Sequence, residues 1–288
     1  MDFTFVQMGI RDGVCDYRGS CGNMTAGVAA FAVDEGLVGG PADGEGGEAV
    51  VRIHNTNTGK LVEATVPVVE GEARAQGDFA ISGVPGTGAC IKLAFLEPAG
   101  SVTGKLLPTG GAVDVFDGVE TTCIDASNPC VFIAADSMGV EGTISPAEMS
   151  AHPDLLKRLE SIRRQAAVKM GMCSKVEETP AGVPKISLVS PPPPTGAEGV
   201  DIIVRAVSTG DPHGAVPISV GVSIAAAAGV EGSVVARAMG MGERKGEGVT
   251  VAHPSGRMVV DARFEGGRLE RAVVFRTARR IMKGWVYV

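Results

Sequence analysis

Two side chains suited to chemistry stand at matching places in this sequence. Cys21 lies in GSCGNMTAGVAAF (19–31) and Ser219 opens SVGVSIAAAAGVEG (219–232). The stretch after Asn23 lacks proline and is rich in alanine, with Val28, Phe31 and Ala32 at helical spacing. It predicts a helix running to about Glu35 and ended by Gly36. Cys21 then stands at or just before the helix N-terminus, where unpaired N–H groups and the positive dipole end favour a thiolate and attract carboxylates. A buried structural cysteine in a Gly-Asn turn carries the same local signature, so both readings stay open. Met24 to Val33 offers almost no polar face, which predicts a helix enclosed by protein on all sides.

Further candidates follow from residue type and place. His213 in GDPHGAV precedes the second small-residue helix and could bind a carboxylate or move a proton, although an ordinary loop histidine fits as well. Asn128 in DASNPCVFI could offer its amide to a carboxylate; Asn-Pro also simply makes turns. Thr87 lies in the glycine loop GVPGTGACI (83–91), which, like PAGSVTGKLLPTGG (98–111), could turn backbone N–H groups toward an anion. Neither loop fits a phosphate-loop or dinucleotide pattern. His253 in AHPSG reads as structural.

An internal repeat supplies the elements that would position these groups. CGNMTAGVAAFAVDEG (21–36) aligns with SVGVSIAAAAGVEG (219–232), putting Cys21 over Ser219. TGKLVEATV (58–66) aligns with SGRMVVDAR (255–263), each the turn and second strand of a hairpin, and DFTFVQM (2–8) aligns with DIIVRAV (201–207). The three matches keep one order and nearly one offset, so the chain holds two copies of a strand, helix, hairpin unit. Paired by pseudo-symmetry, the two helices would aim their N-termini at one cleft, with Cys21 and Ser219 facing each other across a ligand.

The second copy has more ahead of it. Residues 119–135 read as two alternating strands about an Asn-Pro turn, and Ser145-Pro146-Ala147-Glu148 is a capping box with proline at the first helical position. Leu155, Leu159, Ile162, Ala166 and Met170 form one apolar stripe, with Lys157, Arg158, Arg163 and Arg164 on a solvated face, which describes an outer covering helix. A Pro/Gly-rich connector (176–199) holds one short strand, Lys185 to Val189. The first copy has no counterpart to these parts, so the chain reads as truncated at its N-terminus.

Composition bounds the function classes. The 288 residues suffice for one large or two medium domains. A net charge of −7 argues against nucleic acid or an anionic membrane as partner. Six cysteines form no C-x-x-C pair and four histidines accompany them, which predicts free thiols, a reducing cytoplasmic setting and no metal site. The N-terminus lacks a signal-peptide pattern, and no apolar stretch reaches membrane-spanning length.

SCGNMTAGVAAFAV, VRIHNTNTGKLVEATVPV, GVPGTGACIKLAFLEPAGSVTGKLLPTGGAVDV, DASNPCVFIAAD, VAHPSGRMVV and the tail FRTARRIMKGWVYV together resemble the PrpF family of 2-methylaconitate isomerases, 4-oxalomesaconate tautomerases and methylitaconate isomerases. The resemblance covers nearly the whole chain. It implies an α+β, diaminopimelate epimerase-like fold of two pseudo-symmetric domains, each a sheet wrapped around a central helix: 1–117 plus 272–288, and 118–271. It implies a cofactor-independent 1,3-proton shift in a small unsaturated di- or tricarboxylate, in a chain that could form a homo-oligomer. Cys21 would be the acid/base, with Ser20, Gly22, Asn23, Met24, Thr87, Asn128, His213 and Ser219 contacting substrate.

This sequence departs from the family at Ser219-Val220-Gly221, where relatives read Thr-Gly-Ala, and at Gly111 in the family's PTGN loop. It also lacks the upstream segment bearing an active-site lysine. A carboxylate-binding remnant with an incomplete proton-transfer set is therefore the alternative reading, and a chain needing another to cover its surface the expectation. An amino-acid epimerase is disfavoured by serine at position 219.

Overall fold

The computed structural model describes the chain except residues 9–12, 18, 40–46, 196, 241–247 and 286–288. Parts of the loop ahead of the first helix, and the last three residues of the family-like tail, thus lie outside the described residues. A 14-stranded mixed sheet runs through the described part. From one edge its order is Asp2–Phe3, Gly47–Asn55, Lys60–Val69, Ile91–Leu96, Arg268–Arg276, Gly256–Glu265, Val249–His253 and Ile202–Ser208. It continues through Lys185–Ser190, Asn128–Ala134 and Val119–Ala126 to Asp114–Phe116, and two short strands pair alongside this path.

The first eight strands form a palindrome. Asp2–Phe3 runs parallel to Gly47–Asn55 as Ile202–Ser208 does to Val249–His253. The strands that follow in each copy are antiparallel. The copies meet where Ile91–Leu96 pairs with Arg268–Arg276. This is the arrangement the sequence repeat requires. Each hairpin turns on a glycine at positive φ, Gly59 at 64° and Gly256 at 135°, where a Cβ would be strained. The predicted strand at 2–8 shrinks to Asp2–Phe3 and Gln7–Met8, because the Asn57 side chain takes the backbone of Phe5, accepting from its N–H and donating to its carbonyl at 2.8 Å each.

Helices α1 (Gly22–Asp34) and α4 (Ile218–Ala228) occupy equivalent places, α1 against Gly47–Asn55 and Lys60–Val69, α4 against Gly256–Glu265 and Arg268–Arg276. Their burial differs. Every residue of α4 from Ile218 to Ala227 is buried, since Val119–Ala126 and Asn128–Ala134 also pack on it. The expectation of an enclosed first helix fails: Met24 is 53% and Phe31 54% exposed. Small residues tolerate either environment, so a nonpolar helix sequence does not report how many sides are covered.

Between Val119–Ala126 and the connector, the short helix α2 (Pro146–Ala151) and the 15-residue helix α3 (Leu155–Lys169) cover the sheet. The capping box forms as expected, with Glu148 N–H donating to Ser145 Oγ at 3.2 Å and Ser145 N–H to Glu148 Oε2 at 2.8 Å. The predicted stripe is the buried face of α3, packed with Val131, Ile133, Ile186 and Leu188 in a second core. Two expectations need correction. The strands about Asn128 do not alternate but are buried almost throughout, with the reversal at Ser127 (φ 71°). Arg163 is not a solvated residue: it is 7% exposed, pairs with Glu160 at 2.7 Å and donates to the carbonyl of Pro180 at 2.8 Å.

The glycine loop 98–111 also has an internal task. The buried carboxylate of Asp125 accepts from Val102 N–H at 2.8 Å, Thr103 N–H at 2.7 Å and the Thr103 hydroxyl at 2.9 Å. Two of the loop's N–H groups, those of Val102 and Thr103, are therefore taken by the chain's own carboxylate. Among the described residues no helix is long and apolar enough to cross a membrane.

Candidate active site

The N-termini of α1 and α4 open into one cavity of about 350 Å3, lined by Ser20, Cys21, Gly22 and Asn23 from the first and Pro217, Ile218 and Ser219 from the second. Cys21 is the N-cap of α1, extended at φ −120° and ψ 106°, and makes no side-chain capping bond. Pro217, the N-cap of α4, has no side-chain donor or acceptor at all. Both helices thus enter the cavity with first-turn N–H groups that no capping side chain takes, the arrangement that binds anions. The helices touch at their tips: a Cβ on Gly22 would lie 2.6 Å from Ile218 Cβ and Cγ2. Glycine at 22 is what allows the two N-termini to converge.

A network behind the cavity fixes Cys21. Ser20 N–H donates to Asn128 Oδ1 at 3.2 Å, and Asn128 Nδ2 donates to the Ser20 carbonyl at 3.0 Å. Asn55 Nδ2 donates to Ser20 Oγ at 2.8 Å, while Asn55 Oδ1 accepts from Asn57 N–H and Thr58 N–H at 3.1 Å each. Asn128 and Asn55 are buried, and the Ser223 hydroxyl of α4 donates to the Asn128 carbonyl at 3.2 Å. The amide of Asn128 is thereby engaged with backbone, and Ser20 with both asparagines, so each holds the cysteine turn as well as lining the cavity.

Lys185 supplies the positive charge. Its ammonium donates to Ser208 Oγ at 2.9 Å and to the Gly182 carbonyl at 3.5 Å. Among the described residues it has no carboxylate ion pair. Burial holds it below the usual lysine range, opposed by the thiols of Cys130 and Cys21. His213 lies on the same wall, its imidazole held below the ordinary histidine value by burial and by the Lys185 cation, against Asp211. Arg163, which clasps the Pro180 and Pro184 carbonyls (the latter at 3.3 Å), anchors the connector that delivers Lys185.

Seven of the nine residues nominated from sequence line this cavity: Ser20, Cys21, Gly22, Asn23, Asn128, His213 and Ser219. Thr87 does not, lying exposed in a separate two-stranded ribbon paired with Phe79–Ala80. Met24 turns its side chain to the outer face of α1. A larger cavity of about 1120 Å3 lies by Pro191–Pro194, but its walls carry Glu120, Asp136 and Glu141 and no cysteine, lysine or histidine. Among the described residues no group of three His, Cys, Asp or Glu side chains is placed to hold a metal.

The whole of residues 1–288 matches the family model described as PrpF protein. The chain belongs to the PrpF family. It is 37% identical to a 3-methylitaconate isomerase of Eubacterium barkeri, over all of this chain and 79% of that protein. It is 35% identical to a 2-methyl-aconitate isomerase of Shewanella oneidensis (100% and 78%) and to a 4-oxalomesaconate tautomerase of Pseudomonas putida (100% and 77%). A crystal structure of a methylitaconate-delta-isomerase superposes with a TM-score of 0.84 at 37% identity, covering 100% of this chain and 77% of that one. The α+β, epimerase-like fold implied by the sequence resemblance is therefore the fold of this PrpF chain, and its family is one of isomerases and tautomerases.

Sequence reasoning missed Lys185, Ser208 and Asn55 in this PrpF site. Lys185 stood at the start of a predicted strand as one charge in a proline-rich connector, and only the parallel pairing of Lys185 with Cys130 brings it beside the cysteine turn. A lysine opening an otherwise apolar buried strand was the available signal.

Proposed function

We propose that this chain catalyses a 1,3-proton shift across a carbon–carbon double bond in a small unsaturated di- or tricarboxylate, with Cys21 as the acid/base and no metal, nucleotide or flavin. The observation that carries this reading is the convergence of Cys21, two helix N-termini free of capping side chains and Lys185 on one cavity. Its volume suits a small ligand, and three relatives are named as isomerases of 3-methylitaconate and 2-methyl-aconitate and a tautomerase of 4-oxalomesaconate.

In this reading one carboxylate lies against the N–H groups of α1 and α4 and another against the Lys185 ammonium. The Cys21 thiolate removes a proton from the carbon beside a carboxylate or oxo group. The electron pair moves into the adjoining system, forming an enolate-like allylic anion whose charge the same N–H groups stabilise. The proton now on the Cys21 thiol, exchangeable with solvent, is delivered to the far carbon, which restores the thiolate and leaves the double bond moved by one position with no net change in atoms or electrons.

Incubation in D2O with aconitate, methylaconitate, itaconate and oxalomesaconate compounds, followed by NMR, tests the proposal. Deuterium should enter at the allylic carbons of at least one of them as its isomer forms, and dialysis against EDTA should leave the rate unchanged. Absence of exchange with every member would defeat the reading.

A further inference from the structure

A second cavity of about 400 Å3 lies on the other side of Ala215 and Val216, which line both. Its polar walls are Arg276, His253, Ser82 and Arg257, the last donating to the Glu198 carbonyl at 2.9 Å; Phe79, Phe275 and Met258 supply apolar walls. The Arg276 guanidinium is half-buried and touches only uncharged acceptors: Asn23 Oδ1 at 3.3 Å, the Phe275 carbonyl at 2.8 Å and Met258 Sδ at 2.9 Å. Among the described residues it has no carboxylate partner, and burial alone pulls it down to about 10. A partly desolvated cation with no counter-ion is costly, and an anionic ligand would offset that cost. His253 adds a second open position. It is 8% exposed; the Gly214 backbone favours its protonated ring, while its buried Nδ1 has no hydrogen-bond partner among the described residues.

We infer that this cavity is a second anion site, for a carboxylate carried on a flat apolar body. The planar fork of Arg276 matches a carboxylate edge, His253 Nδ1–H can donate to one of its oxygens in the matching tautomer, and the apolar body lies between Met258 and the Phe79–Phe275 pair, whose ring centroids are 6.3 Å apart. The site is distinct from the cysteine cavity, which uses Lys185 and the helix N-termini. Because Arg276 also donates to Asn23 in the first turn of α1, a ligand here is felt at the edge of the first cavity.

Benzoate serves as probe, with benzyl alcohol as the uncharged counterpart, titrated by ligand-observed NMR against the full chain. Benzoate should bind at least tenfold more tightly than benzyl alcohol. Arg276→Met should weaken benzoate at least tenfold, and Lys185→Met should leave it within twofold. Equal binding of the two probes, an unchanged affinity in Arg276→Met, or loss of benzoate in Lys185→Met would each overturn the inference. Should Arg276→Met fail to fold, wild-type protein treated with phenylglyoxal answers the same question by mass spectrometry: benzoate should protect Arg276, and labelling unaffected by benzoate would overturn it.

Discussion

Ser20 and Asn128, 108 residues apart in the chain, exchange two hydrogen bonds, so that one side-chain amide from the strand Asn128–Ala134 clamps the peptide leading into Cys21 of the first copy. The clamp is fully buried on the asparagine side. It makes the cysteine turn a joint product of the first copy and the strands that extend the sheet beyond the palindrome. Replacing Asn128 by Ala should leave the Ser20 N–H and carbonyl without their partner, a loss of about 1–3 kcal/mol readable by urea denaturation. Turnover should fall by more than stability accounts for, chiefly in kcat, because Cys21 is no longer held.

Gly22 is where the two helices meet, and its missing side chain sets their distance. Gly22→Ala should destabilise by about 1–3 kcal/mol through overpacking against Ile218. The double variant Gly22→Ala, Ile218→Ala should show strong positive coupling in a double-mutant cycle, since removing the Ile218 methyl groups clears the clash. Simple additivity of the two losses would separate Gly22 from Ile218.

The Lys185–His213 relationship has a definite sign with pH. Burial depresses Lys185, so its charge, and with it carboxylate affinity, should disappear on raising the pH sooner than for an exposed lysine. Lys185→Arg should extend binding to higher pH. The Lys185 cation also helps to depress His213. In Lys185→Met the His213 pKa should therefore rise, read from its ring proton shifts in an NMR titration, whereas a fall or no change would break the connection.

The thiols should divide by position. Cys123 and Cys130 are buried, and burial pushes Cys130 up to about 12, so neither should react with iodoacetamide in the folded protein. Cys21 should be alkylated and then protected by a saturating unsaturated tricarboxylate, while exposed Cys15 should react equally with and without it. Mass spectrometry of the labelled peptides reads all four.

Much of this arrangement was legible because it is local or repeated. The N-cap position of Cys21, the glycine that ends α1, the capping box at Ser145 and the stripe of α3 each depend on residues within a few positions. The palindromic sheet was legible because the repeat fixed which strands correspond. The bonds of Asn128 to Ser20 were not foreseen and Lys185 was not nominated at all, because both arise from pairings across the fold, Asn128 with Ser20 and Lys185 beside Cys130. Arg163 had the spacing of a solvated residue and became a clasp only once the connector's carbonyls lay over it. The exposed face of α1 was misjudged for the opposite reason: its composition matches that of α4, and only the strands packed on α4 distinguish them.

Everything proposed for the first cavity turns on Cys21 moving the proton. The most direct measurement is solvent deuterium incorporation, by NMR in D2O, into a polycarboxylate that the wild-type chain isomerises, compared between Cys21→Ser and Cys15→Ser. Incorporation should fall at least a hundredfold in Cys21→Ser, with the ligand still bound, and stay at the wild-type rate in Cys15→Ser. Wild-type incorporation in Cys21→Ser would contradict the role assigned to that thiol.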